Sequence, residues 1–295
     1  MEKVIIIYNP NAGKGKLSQS IGLITQKLLQ KFGEVTVYQT QNSGDSAAYV
    51  SKFAEKVDLL IAAGGDGTVN EIINALCALE RRPVFSIIPG GTSNDFSREI
   101  GMNQNQVKAA DQILEQRVMT IDVGKADQQY FLNFWGIGLI SKVSAAVDTG
   151  SKATLGRLAY YLRTAQNLGE VEPFHLQMES SECQFDGESV MLIVGNGTFT
   201  GGVQAFFPNG NIQDGLLDVL IIKETSLQIF WSMVQSKMTP EMSNEEGIIY
   251  FQTNKLRVST DPKQTIDCDG ERQHTTPSEI SVLPGHLKMI VGTDR

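Results

Sequence analysis

The stretch Leu59-Leu60-Ile61-Ala62-Ala63-Gly64-Gly65-Asp66-Gly67-Thr68-Val69-Asn70-Glu71 constrains this chain more than any other. An apolar run ends in glycines and an acid, and Val69, Ile72, Ile73, Leu76 and Leu79 then recur at helical spacing. A buried strand that turns through glycines into a helix presents backbone N–H groups at the positive end of the helix dipole, which makes an anion site. Glycines let a phosphate approach the backbone closely. The loop has neither the G-x-G-x-x-G spacing of dinucleotide folds nor the G-K-[ST] ending of a Walker A loop. Asp66 puts a carboxylate where a phosphate is expected. Two anions share a site only with a cation between them, so the loop points to a metal-bound nucleotide. The simpler alternative is a tight turn in which Asp66 caps the helix.

The flanking sequence alternates strand and helix. Val4 to Tyr8 reads as a buried parallel strand, followed by the loop Asn9-Pro10-Asn11-Ala12-Gly13-Lys14-Gly15-Lys16. Leu17, Ile21, Ile24, Leu28 and Phe32 mark one helix face, and Gly33 ends it. A strand over Val35–Tyr38 leads to Thr40, and a helix is expected over 46–56. Residues 83–88 form another strand that runs into the loop Pro89-Gly90-Gly91-Thr92-Ser93-Asn94-Asp95-Phe96, and 106–116 read as a helix. This alternation predicts a doubly wound parallel α/β domain over residues 1–122, with ligands beyond the carboxyl ends of its strands. Three loops meet that condition, 9–16, 64–68 and 89–95. After about residue 120, strand-like segments follow one another at 120–123, 129–134, 174–179, 190–194, 217–222, 255–259, 265–268, 280–283 and 287–291. Consecutive strands with turn signals predict an antiparallel β-sandwich over 123–295, interrupted by helices at about 151–168 and 226–238.

A chain of 295 residues suits two domains. The net charge of -8 argues against nucleic acid as a partner, which needs a basic face. Cys77, Cys183 and Cys268 are odd in number and far apart, so a reducing compartment is expected rather than a disulfide framework. His175, His274 and His286 lack zinc-ligand spacing. No apolar run approaches the length of a membrane span or signal sequence, so a cytoplasmic protein, at most peripheral to a membrane, is expected. Between Asp148 and Glu170 there is no acid, and Lys152, Arg157 and Arg163 lie among Leu155, Leu158, Tyr160, Tyr161 and Leu162. That pattern fits a helix resting on anionic lipid, and equally one packed on the β domain with its basic side outward.

The second half carries polar, glycine-rich motifs. Gly195-Asn196-Gly197 and Gly201-Gly202 precede Pro208-Asn209-Gly210-Asn211 and Asp214-Gly215-Leu216-Leu217-Asp218. Asp-Gly is a turn dipeptide, and the residues alone favour a turn at Asp214. The density of oxygen donors there also suits a hard cation. Asp267-Cys268-Asp269-Gly270-Glu271 reads either as a hairpin tip or as a carboxylate presented at a strand end, available as a base.

Gly64-Gly65-Asp66-Gly67-Thr68 with Asn70-Glu71, followed by Pro89 to Phe96, resembles the catalytic domain of diacylglycerol kinases, and more closely the soluble bacterial lipid kinases related to them. Asn196-Gly197, Gly201-Gly202, Pro208, Asp214 to Asp218 and Asp269-Gly270-Glu271 fall in the family's order, so the resemblance covers nearly the whole chain. The first glycine motif is shared with NAD kinases and sphingosine-type kinases. Its combination with Gly91-Thr92-Ser93-Asn94-Asp95 and the late Asp-Gly-Glu is far more specific. Ser97-Arg98 departs from the alanine that commonly precedes the arginine.

The resemblance implies an ATP-dependent lipid kinase, most economically one acting on diacylglycerol. Phosphatidylglycerol or a sphingoid base are other acceptors. It implies nucleotide contacts at Asn9, Pro10, Asn11, Ala12, Gly13, Thr40, Gly64, Gly65, Asp66, Gly67, Thr68, Val69, Asn70 and Thr92. The family's base falls on Glu271. Its structural magnesium site falls on Asp214 with the backbone carbonyls of Asn211 and Leu216. Magnesium at the phosphates would be held by Asp66 and Asp95, and the active site would lie in the cleft between the domains. The expected partner is a lipid substrate at a membrane surface, and the sequence is compatible with a homodimer. An NAD kinase-like small-molecule kinase and a non-catalytic nucleotide-binding regulator are the competing readings.

Overall fold

A computed structural model describes residues 2–142, 172–204, 206–207, 209–226 and 247–294. The basic stretch at 149–167, the helices expected at 151–168 and over most of 226–238, and Pro208 lie outside the described residues. The chain divides into two compact units, one of Met1–Ile121 with Gly285–Arg295 and one of Asp122–Pro284.

In the first unit, β1 (Lys3–Tyr8), β2 (Glu34–Gln39), β3 (Leu59–Gly64) and β4 (Val84–Pro89) pair in parallel in the order β2-β1-β3-β4. Val4 to Ile7 and all of β3 are buried, as expected of parallel strands covered on both faces. Helices α1 (Lys16–Leu28), α2 (Asp45–Phe53), α3 (Asp66–Cys77), α4 (Asp95–Glu99) and α5 (Gln106–Glu115) connect and cover them. Most of the apolar stripes read from the sequence are buried, while Ile21, Leu79, Val107 and Leu114 are half-buried. Leu17, Ile24 and Leu28 of α1, Ile72, Ile73 and Leu76 of α3, and Ala110 and Ile113 of α5 are all fully buried. The register of β1 on β3, Ile6 opposite Ile61 and Tyr8 opposite Ala63, brings the ends of both strands level. The three loops that follow β1, β3 and β4 therefore share one edge of the sheet.

The chain leaves this unit through β5 (Val118–Ala126). The second unit holds β6 (Gln129–Phe131), β7 (Phe134–Gly138), β8 (Phe174–Ser180), β9 (Gln184–Ser189), β10 (Met191–Gly195), β11 (Phe199–Thr200), β12 (Val203–Gln204), β13 (Leu217–Ile222), β14 (Ile248–Thr253), β15 (Lys255–Asp261) and β16 (Ile266–Cys268). One antiparallel sheet runs β14-β13-β10-β7-β16, and a second includes β15-β8-β9. Side chains from both meet in one core, among them Trp135, Ile137, Leu192, Val219, Leu176, Met178 and Leu256. This is the sandwich that the run of consecutive strands predicts.

Three local expectations differ. The single strand expected over 129–134 is broken into β6 and β7, because the amides of Leu132, Asn133 and Phe134 turn to the carboxylate of Asp269. The two strands expected at 280–283 and 287–291 are one, β17 (Ser278–Ile290). Pro284-Gly285 reads as a break. Here, however, β17 pairs with β15 before it and reaches β4 after it, with Met289 opposite Phe85, so each half has its own hydrogen-bonded neighbour. Strands β9, β11, β12 and β14 are not among those the sequence predicts. Among the described residues β9 pairs with β8 alone, and an edge strand carries no strong apolar signal.

Candidate active site

In the first unit the three glycine-bearing loops meet at van der Waals distance, and their glycines are what allows it. A Cβ at Gly91 would lie 2.6 Å from Gly65 Cα and 2.8 Å from Asn94 Oδ1. One at Gly90 would lie 3.2 Å from Ala12 Cβ and 3.3 Å from Gly64 Cα, and one at Gly13 would lie 2.7 Å from the Gly90 carbonyl oxygen. The backbone is tied across the same gaps, with Gly90 N–H donating to Gly64 O at 2.7 Å and Asn9 N–H to Ala63 O at 3.1 Å. A Cβ at Gly64 would fall 2.6 Å from the Thr68 side chain, so Thr68 folds back over the strand end and is buried.

Helix α3 starts at Asp66 with Gly65 as its N-cap, and Gly65 has no side chain to accept the first-turn amides. That leaves amides of the first turn, at the positive end of the helix dipole, beside the loops after β1 and β4, an arrangement suited to a polyphosphate. Asn9, Pro10, Asn11, Ala12, Gly13, Gly64, Gly65, Asp66, Gly67 and Thr68 lie on this edge. Val69 and Asn70 continue the first turns of α3, with Val69 buried in the core. Thr40 follows β2 and is buried, its N–H and Oγ1 both donating to Tyr8 O. Its hydroxyl is thus held by the strand that leads into the first loop. Thr92 is exposed at the tip of the third loop.

Asp66 does not cap its own helix. Its Oδ1 accepts the Asp95 N–H at 2.7 Å and its Oδ2 the Asn94 N–H at 2.9 Å, so it caps α4 from the neighbouring loop. Burial pushes its carboxyl above the ordinary range, while the two amides and Arg98 pull the other way. Asn94, in the left-handed region at φ 52°, accepts the Gly91 N–H at 2.8 Å and donates to Gly91 O and to Gln104. This asparagine shapes the third loop from within. The Asn-Asp pair signalled it in the sequence, where Asn readily adopts the left-handed conformation. Asp95 is buried at the start of α4. A carboxylate has about four lone-pair sites, so Asp66 keeps acceptor capacity toward a hydrated cation, and the pair fits a magnesium-bound nucleotide.

In the second unit, Cys268-Asp269-Gly270-Glu271 closes a two-residue hairpin turn, with both central residues at positive φ and Cys268 and Glu271 exchanging backbone hydrogen bonds at 2.9 and 3.0 Å. The two acids flanking Gly270 take different positions. Asp269 accepts the N–H groups of Leu132, Asn133 and Phe134 at 2.7 to 3.0 Å, and its own N–H donates to Phe134 O. Burial raises its carboxyl to about 7 against the pull of those amides. Asp267 is fully buried and accepts the Gly270 N–H. Glu271 is half-buried, and its carboxylate has Gln273 Nε2 at 3.4 Å.

The turn at 211–216 is held by its own side chains. Asn211 Oδ1 accepts the Gln213 N–H at 3.1 Å, and Asp214 Oδ1 the Leu216 N–H at 3.0 Å. Asp122, which the motif reading passed over, accepts the Gly215 N–H at 2.7 Å, and its own N–H donates to Ile212 O. No group of three or more His, Cys, Asp or Glu side chains is placed to hold a metal among the described residues. The donor chemistry at Asn211, Asp214 and Leu216 is nevertheless one carboxylate and carbonyl oxygens in a tight exposed turn, which fits a hard cation.

Comparison with known proteins matches residues 3–126 to the diacylglycerol kinase catalytic domain and residues 136–291 to the YegS C-terminal NAD kinase beta sandwich-like domain. A "Diacylglycerol kinase" of Bacillus subtilis (strain 168) is 32% identical over 297 residues, covering 100% of this chain and 98% of that one. A solved structure described as a "putative diacylglycerol kinase from Bacillus anthracis str. Sterne" superposes with a TM-score of 0.89 at 40% identity, covering 99% of this chain and 95% of the other.

Two measurements follow from the geometry. Gly91→Ala forces a Cβ against the Gly65 backbone and should destabilise the fold by about 1–3 kcal/mol. Gly67→Ala, with nothing within 4 Å and an ordinary φ, should leave it unchanged. Equal melting temperatures for the two variants would disprove the close crossing. The second concerns Asp269, whose folded value of about 7 lies above its ordinary 3.8. Its contribution to stability is full below the unfolded value and is lost as pH rises through the folded one. The stability of the native protein relative to Asp269→Asn should therefore decline between about pH 4 and 7 and level off above. No change over that window, in urea titrations at each pH, would mean that the three amides keep the carboxylate ionised throughout.

Proposed function

The chain belongs to the diacylglycerol kinase catalytic-domain family and is a lipid kinase, and from that premise we propose that it transfers the γ-phosphate of ATP to the hydroxyl of diacylglycerol, giving phosphatidic acid. The observation that carries the reading is the meeting of three glycine loops around the amide-bearing start of α3. Phosphoryl transfer leaves a protein little covalent work; it positions the groups and offsets charge. In this reading the first-turn amides of α3 and the loops after β1 and β4 hold the phosphates, and Thr40 and Thr92 contribute from the neighbouring strand end and loop tip. Asp66 and Asp95 are the residues that would hold magnesium there, which offsets phosphate charge when bound.

Glu271 is the proposed base. A lipid hydroxyl must lose its proton as the bond to phosphorus forms, and a carboxylate within hydrogen-bond reach takes it. Asp269 is unsuited to that task because its oxygens already accept three amides. Glu271→Gln keeps the shape and removes the base. Turnover should fall roughly 10²–10⁴-fold with ATP affinity unchanged. Parental turnover in that variant would remove the assignment.

At the turn of Asn211, Asp214 and Leu216 we assign a structural magnesium ion, which would brace the turn and take no part in transfer. Asp214→Ala should lower the melting temperature and abolish most of its dependence on magnesium. Full retention of that dependence would place the stabilising ion elsewhere.

The NAD kinase-like description of the second domain favours one competing reading, phosphorylation of a soluble nucleotide. Parallel assays with labelled ATP on NAD and on diacylglycerol in mixed micelles separate the two.

A further inference from the structure

The third loop of the first unit, residues 89–95, is fastened by a closed circuit of side chains. Asn94 Nδ2 donates to Gln104 Oε1 at 3.1 Å. Gln104 Nε2 donates in turn to Ser97 Oγ at 3.1 Å and to Met102 O at 3.0 Å. Ser97 Oγ donates back to Asn94 O at 2.9 Å. A hydroxyl both donates and accepts, so Ser97 serves the two bonds at once. Turning the Gln104 amide over would set its nitrogen against Asn94 Nδ2 and its oxygen against Met102 O, so the partners fix its orientation. The segment that carries Gln104 is itself pinned, with Asn103 N–H donating to Gln112 Oε1 at 2.7 Å and Asp294 N–H to Gly101 O at 3.0 Å. Ser97 is buried, and it stands where alanine is usual among the kinases this chain resembles. A methyl group there could neither accept from Gln104 nor donate to Asn94.

We propose that Ser97 and Gln104 are positioning residues for nucleotide binding, holding Asn94 and Asp95 in the conformation that receives magnesium-bound ATP. The inference rests on the reading of this loop as a phosphate and magnesium site, and adds to it the side chains that set the loop's shape. Asn94 lies in the left-handed region at φ 52°, and its side chain closes the turn on Gly91. Asp66 holds the backbone N–H groups of Asn94 and Asp95, while Gln104 holds the Asn94 side chain, so the loop is gripped by two separate segments. The helix that follows, α4, has five residues, too few to be rigid through its own hydrogen bonds. A loop fixed before the nucleotide arrives loses less conformational freedom on binding it.

The test is a calorimetric titration with MgATP, paired with kinetics on diacylglycerol in mixed micelles. Gln104→Leu keeps the bulk and removes both polar groups. It should weaken MgATP binding roughly three- to tenfold, the net worth of a hydrogen bond, and raise KM for ATP in parallel with KM for the lipid unchanged. A merely structural role would instead lower the melting temperature and the active fraction, and so kcat alone. Ser97→Ala leaves Asn94 O with the Arg98 N–H and Gln104 Nε2 with Met102 O, so this variant should fold. It should weaken MgATP binding about threefold in the native background and not at all in the Gln104→Leu background, because the two residues act through one circuit. Native affinity in Gln104→Leu, a fall in kcat alone, or a Ser97→Ala loss of equal size in both backgrounds overturns the proposal. Should Gln104→Leu fail to fold, native affinity in Ser97→Ala overturns it. A native protein that binds MgATP but phosphorylates no lipid alcohol ends the kinase reading alone, and one that does not bind MgATP ends both.

Discussion

A carboxylate that accepts the backbone amides of a neighbouring loop is the contact on which the first unit's site depends. Asp66 stands at the first position of α3, and its two oxygens hold the N–H groups of Asn94 and Asp95 at the start of α4. The acid therefore fixes where the third loop runs relative to the second. Amide-to-carboxylate bonds are charge-assisted and roughly twice as strong as neutral ones, so few other contacts are needed to hold the loop. The glycines follow from the same constraint. With the loops drawn this close, Gly65 and Gly91 pass with a Cβ-free gap between them, and any side chain at Gly91 would meet backbone.

The second unit repeats the device in a different fold. Asp269, at the tip of a hairpin, accepts three successive amides at the break between β6 and β7. Those amides could otherwise have continued one strand. Their turning to a single acid separates Phe131 from Phe134 into different strands and leads the chain into β7, where Trp135 enters the core. The turn that carries Glu271 is thereby anchored by Asp269 and Asp267, while Glu271 itself stays half-buried with Gln273 beside its carboxylate. Neighbouring acids in one pentapeptide thus differ in burial, and Glu271 is the one left accessible.

Much of the fold was legible along the chain. The apolar runs of β1, β3 and β4 and the stripes of α1, α3 and α5 are local patterns, and most of the residues that make them are buried. The loops that gather at one edge of the sheet were legible as well, since a glycine cluster between an apolar run and an amphipathic helix marks a strand-to-helix turn. What escaped notice lacked any such local signal. β9 alternates weakly and lies at an edge. β17 continues through Pro284-Gly285 because its neighbours change there. Asp122 looks like an ordinary strand residue until the 211–216 turn comes to rest on it.

The sequence by itself determined the order of elements, the switch from strand–helix alternation to consecutive strands, and the positions of the loops that carry Asp66, Asp95, Asp214 and Glu271. Each of these follows from patterns within a few residues, where side-chain period and turn chemistry act directly on the backbone. Only the tertiary structure decided what each acid faces. Asp66 could have capped α3, and Asp269 could have been left exposed at the hairpin tip. Which amides lie within 3 Å of a carboxylate depends on segments 28 and 135–137 residues away in the chain, and no local pattern encodes that meeting.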